Sequence, residues 1–308
     1  MMRIIKALVI SARPQQWLKN LSIFAAAFLW GDLFNVGTLP RLIEAFFVFC
    51  FLSSTAYLIN DLKDRERDKK HPVKKRRPIA SGELSVRATI VAAVVLGTGT
   101  LTYVFLNFNS YFFGIALAFI ALQLSYSFLI RNVIILDALW VAAAFVLRVY
   151  AGAFVLPTPI SSWVIMSVIG LALLLAFGKR RSERTLLSSL RKRLATRETL
   201  RHYPDALLDS AISMSASYTA LAYSIFAFQN SPGSTSLSDI LPATLSSPKL
   251  ILLTVPLVIY GVVRYFYVIY EKKEGESPEQ VLITDFPLLG TVALWLVALF
   301  LIIYVIGG

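Results

Sequence analysis

Long apolar runs alternate with short polar interruptions along almost the whole chain, and that alternation predicts membrane-spanning helices. Crossing about 30 Å of hydrocarbon takes roughly 17 to 25 mostly apolar helical residues. Nine runs of that length occur, at approximately 20–37, 41–60, 86–107, 111–130, 133–155, 160–178, 211–229, 249–270 and 285–306. Ahead of them, MMRIIKALVISARPQQWLKN carries Arg3, Lys6, Arg13 and Lys19 around an apolar segment too short to span. This predicts a retained, interfacial amphipathic helix rather than a cleaved leader. The fold class expected is therefore all-α, a polytopic membrane protein in which 1–308 forms one domain without internal repeats.

Composition supports the bilayer as solvent: 57% of residues are hydrophobic and 16% charged, with a mean hydropathy of +0.68. The formal net charge of +12 excludes little by itself. Nucleic acid would need a basic surface on a soluble body, and here the cations sit between apolar spans, which favours anionic headgroups or phosphorylated substrates. Two loops hold most of them. The first, 61–87, contains Lys63, Arg65, Arg67, Lys69, Lys70, Lys74, Lys75, Arg76, Arg77 and Arg87; the second, 179–210, contains Lys179, Arg180, Arg181, Arg184 and five further basic residues from Arg191 to Arg201. The intervening connections 107–110, 157–162 and 229–248 carry no Lys or Arg. Short cationic loops stay cytoplasmic, so the expected topology is a plasma-membrane protein with a cytoplasmic N-terminus and cytoplasmic substrate loops. The lone Cys50 lies in an apolar stretch and offers no disulfide or cysteine metal site.

The first cationic loop also carries acids. If the second span continues as helix past Asn60, Asp61, Asp64 and Asp68 fall within an arc of about 60°, while Glu66 points away. Like charges so close repel unless a cation lies among them. Oxygen ligands of this kind suit Mg²⁺, which binds through one or two carboxylates and the phosphate oxygens of a substrate. A solvated helix end neutralised by its own Lys and Arg is the plainer alternative.

The same stretch resembles a known family. Asn60, Asp61, Asp64 and Asp68 match N-D-x-x-D-x-x-x-D, and RPIASG at 77–82 matches the R-P-x-x-S-G that follows it in the UbiA superfamily of intramembrane prenyltransferases. The resemblance implies a helical bundle around a central cavity, open to the cytoplasm and laterally to lipid, with Mg²⁺-bound pyrophosphate at its cytoplasmic end. It implies Asn60, Asp61, Asp64 and Asp68 as metal ligands and Arg77 as a substrate contact. The second cytoplasmic loop departs from the superfamily: where another aspartate-rich motif is expected, this chain reads GKRRSE, with Lys179, Arg180 and Glu183. Cations there can neutralise phosphate directly. RPQQWLKN at 13–20, RVYAGA at 148–153 and GKRRSE resemble the polyprenyl-phosphate phosphoribosyltransferase branch. That branch uses phosphoribosyl pyrophosphate as donor and a polyprenyl phosphate as acceptor.

The reaction expected from this resemblance is transfer of 5-phosphoribose to the lipid phosphate, with Asp61, Asp64, Lys179 and Arg180 as the catalytic set. No general base is needed, because a lipid phosphate is already anionic at pH 7; His71 and His202 read as ordinary loop residues. Lys19 and Asn20 at the mouth of the first span, and Tyr126 and Arg131 at the end of the fourth, are candidate substrate contacts; an anchoring role for Lys19, Tyr126 and Arg131 is the alternative. Arg148, deep in the fifth span, is expected to reach a partner on another helix or a substrate phosphate, since Asp137 lies about three turns away. Glu183 is expected to orient Lys179 one turn away, and Asp285 to meet a sugar hydroxyl. Two other readings stay open: a prenyltransferase using a prenyl diphosphate and an aromatic acceptor, and a lipid-phosphate transporter. A homo-oligomer is compatible with all three.

Overall fold

The computed structural model describes residues 2–70, 74–189, 203–232, 249–272 and 278–307. His71, His202, Glu198 and the basic residues from Arg191 to Arg201 lie outside them. The described chain is helical throughout, with no strand. In order, α1 is Met2–Ala12, a 3₁₀ run covers Pro14–Phe24, and α2 to α4 are Ala25–Trp30, Thr38–Lys69 and Pro78–Ser81; α5 to α8 are Val86–Asn107, Ser110–Phe128, Leu136–Val155 and Ser162–Ser189; α9 to α12 are Asp205–Asn230, Val255–Tyr267, Pro278–Thr284 and Phe286–Phe300. Two compact units result: the first holds 2–25 and 35–157, the second 26–34, 158–189 and the described residues after 203.

Eight helices among the described residues are long and apolar enough to cross a membrane, one fewer than the nine expected. The exception is the first apolar run, 20–37. Instead of one α-helix it is the end of the 3₁₀ run followed by the six-residue α2. Pro14 opens the 3₁₀ run, and the side chains within it bond locally: Lys19 Nζ donates to Gln16 Oε1 at 2.5 Å and Ser22 Oγ to the Lys19 carbonyl at 2.9 Å. Gly31, at φ +90, closes α2, a conformation that a residue without Cβ adopts readily.

In the first unit, α3 is the axis. Gly37 at φ +85 precedes it and Arg67 and Lys69 in its last turn suit the negative end of the helix dipole. Its middle buries Phe49, Cys50 and Leu52 completely. Around it pack α1, the 3₁₀ run and α4 to α7. Helix α5 is capped by Ser85, which accepts from Ala88 N, and α6 by Asn109, which accepts from Phe112 N. The 3₁₀ run lies hard against α7: a Cβ on Gly152 would land on the Ile23 carbonyl oxygen. Glycine at that position permits the close approach. The outer surfaces of α5 and α6 leave Val91, Val94, Val95, Phe105 and Leu117 exposed, as a lipid-facing surface requires.

In the second unit, α8 and α9 pack along one another, and a Cβ on Gly170 would meet Thr219 Oγ1 at 2.5 Å. Tyr223 ties three segments together, sharing a 2.6 Å hydrogen bond with Thr254 and accepting one of 2.8 Å from Trp295 Nε1. Phe226, Ala227, Ile251, Leu299 and Ile302 fill the core around it.

Candidate active site

Helix α3 explains how acids stand next to an apolar span. Its 32 residues make about 48 Å at 1.5 Å per residue, against about 30 Å of hydrocarbon. With 41–60 in the apolar layer, the remaining turns carry Asp61, Asp64 and Asp68 beyond it. Helical spacing puts the three on one face as expected: they are 3%, 7% and 3% exposed, whereas the Glu66 side chain is 73% exposed and pairs with Lys69.

Each carboxylate on that face meets a guanidinium. Arg13 Nη2 donates to Asp61 Oδ1 at 2.5 Å. Arg77 Nη1 bridges Asp61 Oδ1 at 3.1 Å and Asp68 Oδ2 at 2.7 Å. Arg131 Nη1 donates to Asp64 Oδ2 and, at 3.4 Å, to Asn60 Oδ1; Asn60 Nδ2 lies 3.5 Å from Asp64 Oδ2. Three separate elements supply these cations. Arg13 joins α1 to the 3₁₀ run, Arg77 is the N-cap of α4, and Arg131 sits in a short 3₁₀ turn between α6 and α7. That turn leads into Ile135 at φ 69, ψ −51, with Leu136 N bonded to the Ile134 carbonyl at 2.8 Å. This is a γ-turn of the strained kind, unusual for a β-branched residue. The motif RPIASG thus folds as a single helical turn whose arginine faces back onto α3.

Arg77 and Arg131 were expected at the site, whereas Arg13 was expected only as a cation of the N-terminal amphipathic segment and as the start of RPQQWLKN. A signal existed in the Arg-Pro pair at the end of an amphipathic segment. Lys63 was also passed over; it donates to the Ser127 carbonyl at 2.5 Å and lies over the Phe128 ring, joining α3 to the end of α6. Tyr126, half-buried on α6, is one residue from that contact.

Asn20 and Arg148 form a second, deeper group. Asn20 is fully buried and Arg148 is 3% exposed. Arg148 Nε donates to Asn20 Oδ1 at 2.7 Å and Nη1 to the Ala144 carbonyl at 2.7 Å, with its guanidinium over Phe119 and Phe145. Asn20 Nδ2 in turn donates to Cys50 Sγ at 3.3 Å. The expected partner on another element is therefore Asn20, and both side chains are engaged in holding the 3₁₀ run against α7 and α3. Lys19, next to Asn20, is half-buried and bonded to Gln16.

Lys179, Arg180 and Glu183 belong to the second unit, where α8 continues as helix to Ser189 rather than ending in a loop. Arg180 is 4% exposed and donates to Glu183 Oε2 at 3.1 Å, so Glu183, the acid expected to orient Lys179, is also a partner of Arg180. The next cations are also matched: Arg181 donates to Asp209 at 2.7 Å and Arg184 to Asp205 at 2.6 Å, while Tyr270 Oη donates to Asp209 at 2.8 Å. Asp285 caps α12, accepting from Leu288 N at 3.0 Å, and receives Arg264 through two 3.0 Å contacts and Lys272 at 2.8 Å. Arg264, Lys272 and the Leu288 amide hold its carboxyl well below the usual carboxylate range, against the effect of burial. That arrangement caps the helix end.

The UbiA prenyltransferase family profile matches residues 21–282. The decaprenyl-phosphate phosphoribosyltransferase of Corynebacterium glutamicum is 31% identical over 300 residues, covering 95% of this chain and 85% of that protein. The enzyme of the same name from Mycobacterium tuberculosis is 31% identical over 230 residues, covering 73% of this chain and 75% of that protein. Among solved structures, a UbiA homolog from Archaeoglobus fulgidus bound to GPP and Mg²⁺ superposes with a TM-score of 0.69 at 20% identity, covering 96% of this chain and 99% of that one. A profile match across most of the length, together with these relatives, shows that the chain belongs to the UbiA prenyltransferase family.

Proposed function

We propose that this protein transfers the 5-phosphoribosyl group of phosphoribosyl pyrophosphate to a polyprenyl phosphate, with pyrophosphate leaving. The observation that carries this reading is the similarity, along 95% of the chain, to a protein named decaprenyl-phosphate phosphoribosyltransferase. Lys179 and Arg180, in place of a second set of carboxylates, agree with a donor that brings a 5-phosphate as well as a pyrophosphate. The family profile draws on both units, which supports 1–308 acting as one catalytic domain. The cationic stretches support a reaction on the cytoplasmic face, since short loops rich in Lys and Arg stay on that side.

The donor set on α3 fits a hard cation held by one or two carboxylates with phosphate oxygens completing its shell. No group of three acidic, His or Cys side chains is arranged around a common point among the described residues, so a cage made by protein alone is not the fit. Asp61 and Asp64, flanked by Asn60 and Asp68, would hold Mg²⁺, which would neutralise charge building on the departing pyrophosphate. Arg77 and Arg131 supply fixed positive charge beside it. Lys179 and Arg180 bind donor phosphate, while Lys19 and Tyr126 are assigned to the sugar or lipid phosphate. The lipid phosphate oxygen attacks the anomeric carbon as the bond to pyrophosphate breaks, with inversion at that carbon and no proton to remove.

Donor competition in purified protein with Mg²⁺ tests the proposal. Phosphoribosyl pyrophosphate should bind and ribose 5-phosphate should compete, and Lys179→Ala or Arg180→Ala should each weaken donor binding about tenfold or more. Tight binding of a short prenyl diphosphate with no binding of phosphoribosyl pyrophosphate would hand the site to the aromatic prenyltransferase reading.

A further inference from the structure

Arg13 is a residue that the proposed reaction does not yet use. In the cluster on α3, Asp61, Asp64 and Asp68 face Arg13, Arg77 and Arg131. A divalent cation arriving alone must compete with guanidinium for Asp61 Oδ1. Arriving with a pyrophosphate, it brings an acceptor for whichever guanidinium it displaces.

The three arginines differ in how free they are to move. Arg77, at 28% as exposed as Arg13, is tied to two carboxylates at once. The Arg131 side chain is 10% exposed and has acceptors on Asp64 and Asn60. Arg13 has one carboxylate contact, its side chain is 27% exposed, and its guanidinium already rests 5.1 Å from the centre of the Tyr57 ring. Its backbone, by contrast, is fixed. Arg13 adopts φ 55, ψ 61 before Pro14, a conformation that costs a non-glycine residue free energy and persists only where the surroundings impose it. They do so on both sides. Ser54 Oγ donates to the Ala12 carbonyl at 3.0 Å and accepts from Trp17 Nε1 at 3.2 Å, and Arg148 grips Asn20 two turns further on. A long cationic side chain is therefore mounted on a rigid base beside the carboxylate that a metal would take.

We propose that Arg13 is an internal counter-cation: it occupies Asp61 while the donor is absent and moves onto the pyrophosphate when a divalent cation takes Asp61, so that metal and donor bind as a pair. The inference rests on the reading of the α3 carboxylates as a metal and pyrophosphate site. It assigns to Arg13 a donor-binding role.

The test is Mn²⁺ binding, read by its electron paramagnetic resonance signal, to the full-length protein in nanodiscs with and without inorganic pyrophosphate, correcting for Mn²⁺ complexed in solution. Wild type should bind Mn²⁺ at least about tenfold more tightly when pyrophosphate is present. Arg13→Gln should bind Mn²⁺ alone more tightly than wild type, and the gain from pyrophosphate should fall several-fold; Arg13→Lys, which keeps the charge, should recover part of it. Arg87→Gln, a cationic change on α5 outside the cluster, should leave both affinities unchanged. An unchanged pyrophosphate gain in Arg13→Gln overturns the proposal, as does a wild-type protein whose Mn²⁺ affinity is indifferent to pyrophosphate, a result that stands even if Arg13→Gln does not fold. Absence of Mn²⁺ binding to wild type under either condition instead sinks the metal-site reading on which the inference rests.

Discussion

Asp64 and Arg131 allow the pairing logic of the cluster to be measured. Their side chains are 8% and 10% exposed, which removes them from the class of surface ion pairs worth about 0–1 kcal/mol. Taking away one partner of a buried pair leaves the other charge uncompensated, a loss of about 3–5 kcal/mol. Asn60 softens that, since its Oδ1 lies 3.4 Å from Arg131 Nη1, so we expect each of Asp64→Asn and Arg131→Gln to cost about 2–3 kcal/mol. The double variant has no orphaned charge. Its loss should fall short of the sum of the singles by at least about 1.5 kcal/mol. Thermal unfolding of the three variants in nanodiscs, followed by tryptophan fluorescence, yields the coupling. Turnover of phosphoribosyl pyrophosphate should be abolished in Asp64→Asn and in the double variant alike, because the lost carboxylate is the one assigned to the metal. Additivity within about 0.5 kcal/mol would refute the pairing, and near-normal turnover in Asp64→Asn would return the three carboxylates to the reading of a solvated helix end.

Three further outcomes are expected. In a Cys50→Ala background, cysteines at Lys74 and Asn107, on either side of α5, should react with impermeant reagents only from the cytoplasm and only from outside, respectively; labelling from the same side removes α5 as a span. Gly152→Ala should lower thermal stability by about 1–3 kcal/mol, since the new methyl group meets the Ile23 carbonyl, and an unchanged melting temperature would mean that the 3₁₀ run is not held against α7. For Asp285, the folded carboxyl titrates below its unfolded value of about 3.9, so its contribution is complete above that pH and is lost as pH falls through the folded value. The stability cost of Asp285→Asn should therefore be constant from about pH 5 to 8 and shrink below about pH 4; a cost that grows on acidification contradicts the ion pairs with Arg264 and Lys272.

Apolar run length and helical spacing made much of this protein legible in one dimension. The spans of α3 and α5 to α8, the single face shared by Asp61, Asp64 and Asp68, and the outward Glu66 all follow from rules that act along a single helix. Where a local rule and a tertiary contact disagreed, the tertiary contact decided. The run 20–37 is apolar enough for an α-helix, yet Pro14, local side-chain bonds and the close passage over Gly152 make its first part a 3₁₀ run. Arg148 reads as an expensive charge in need of a partner on another helix or a substrate phosphate, and the fold gives it Asn20, 128 positions away. Asp285 reads as a site residue, and the fold uses it to cap α12. Arg13 is the clearest case: 48 positions separate it from Asp61, and no periodicity links them. Hydrophobic patterning depends on each residue's own preference for lipid or water, so a sequence carries it openly. A charge's partner depends on which segments the packed backbone brings within about 3 Å, the separation at which a guanidinium and a carboxylate can hydrogen-bond, and only the tertiary structure sets that distance.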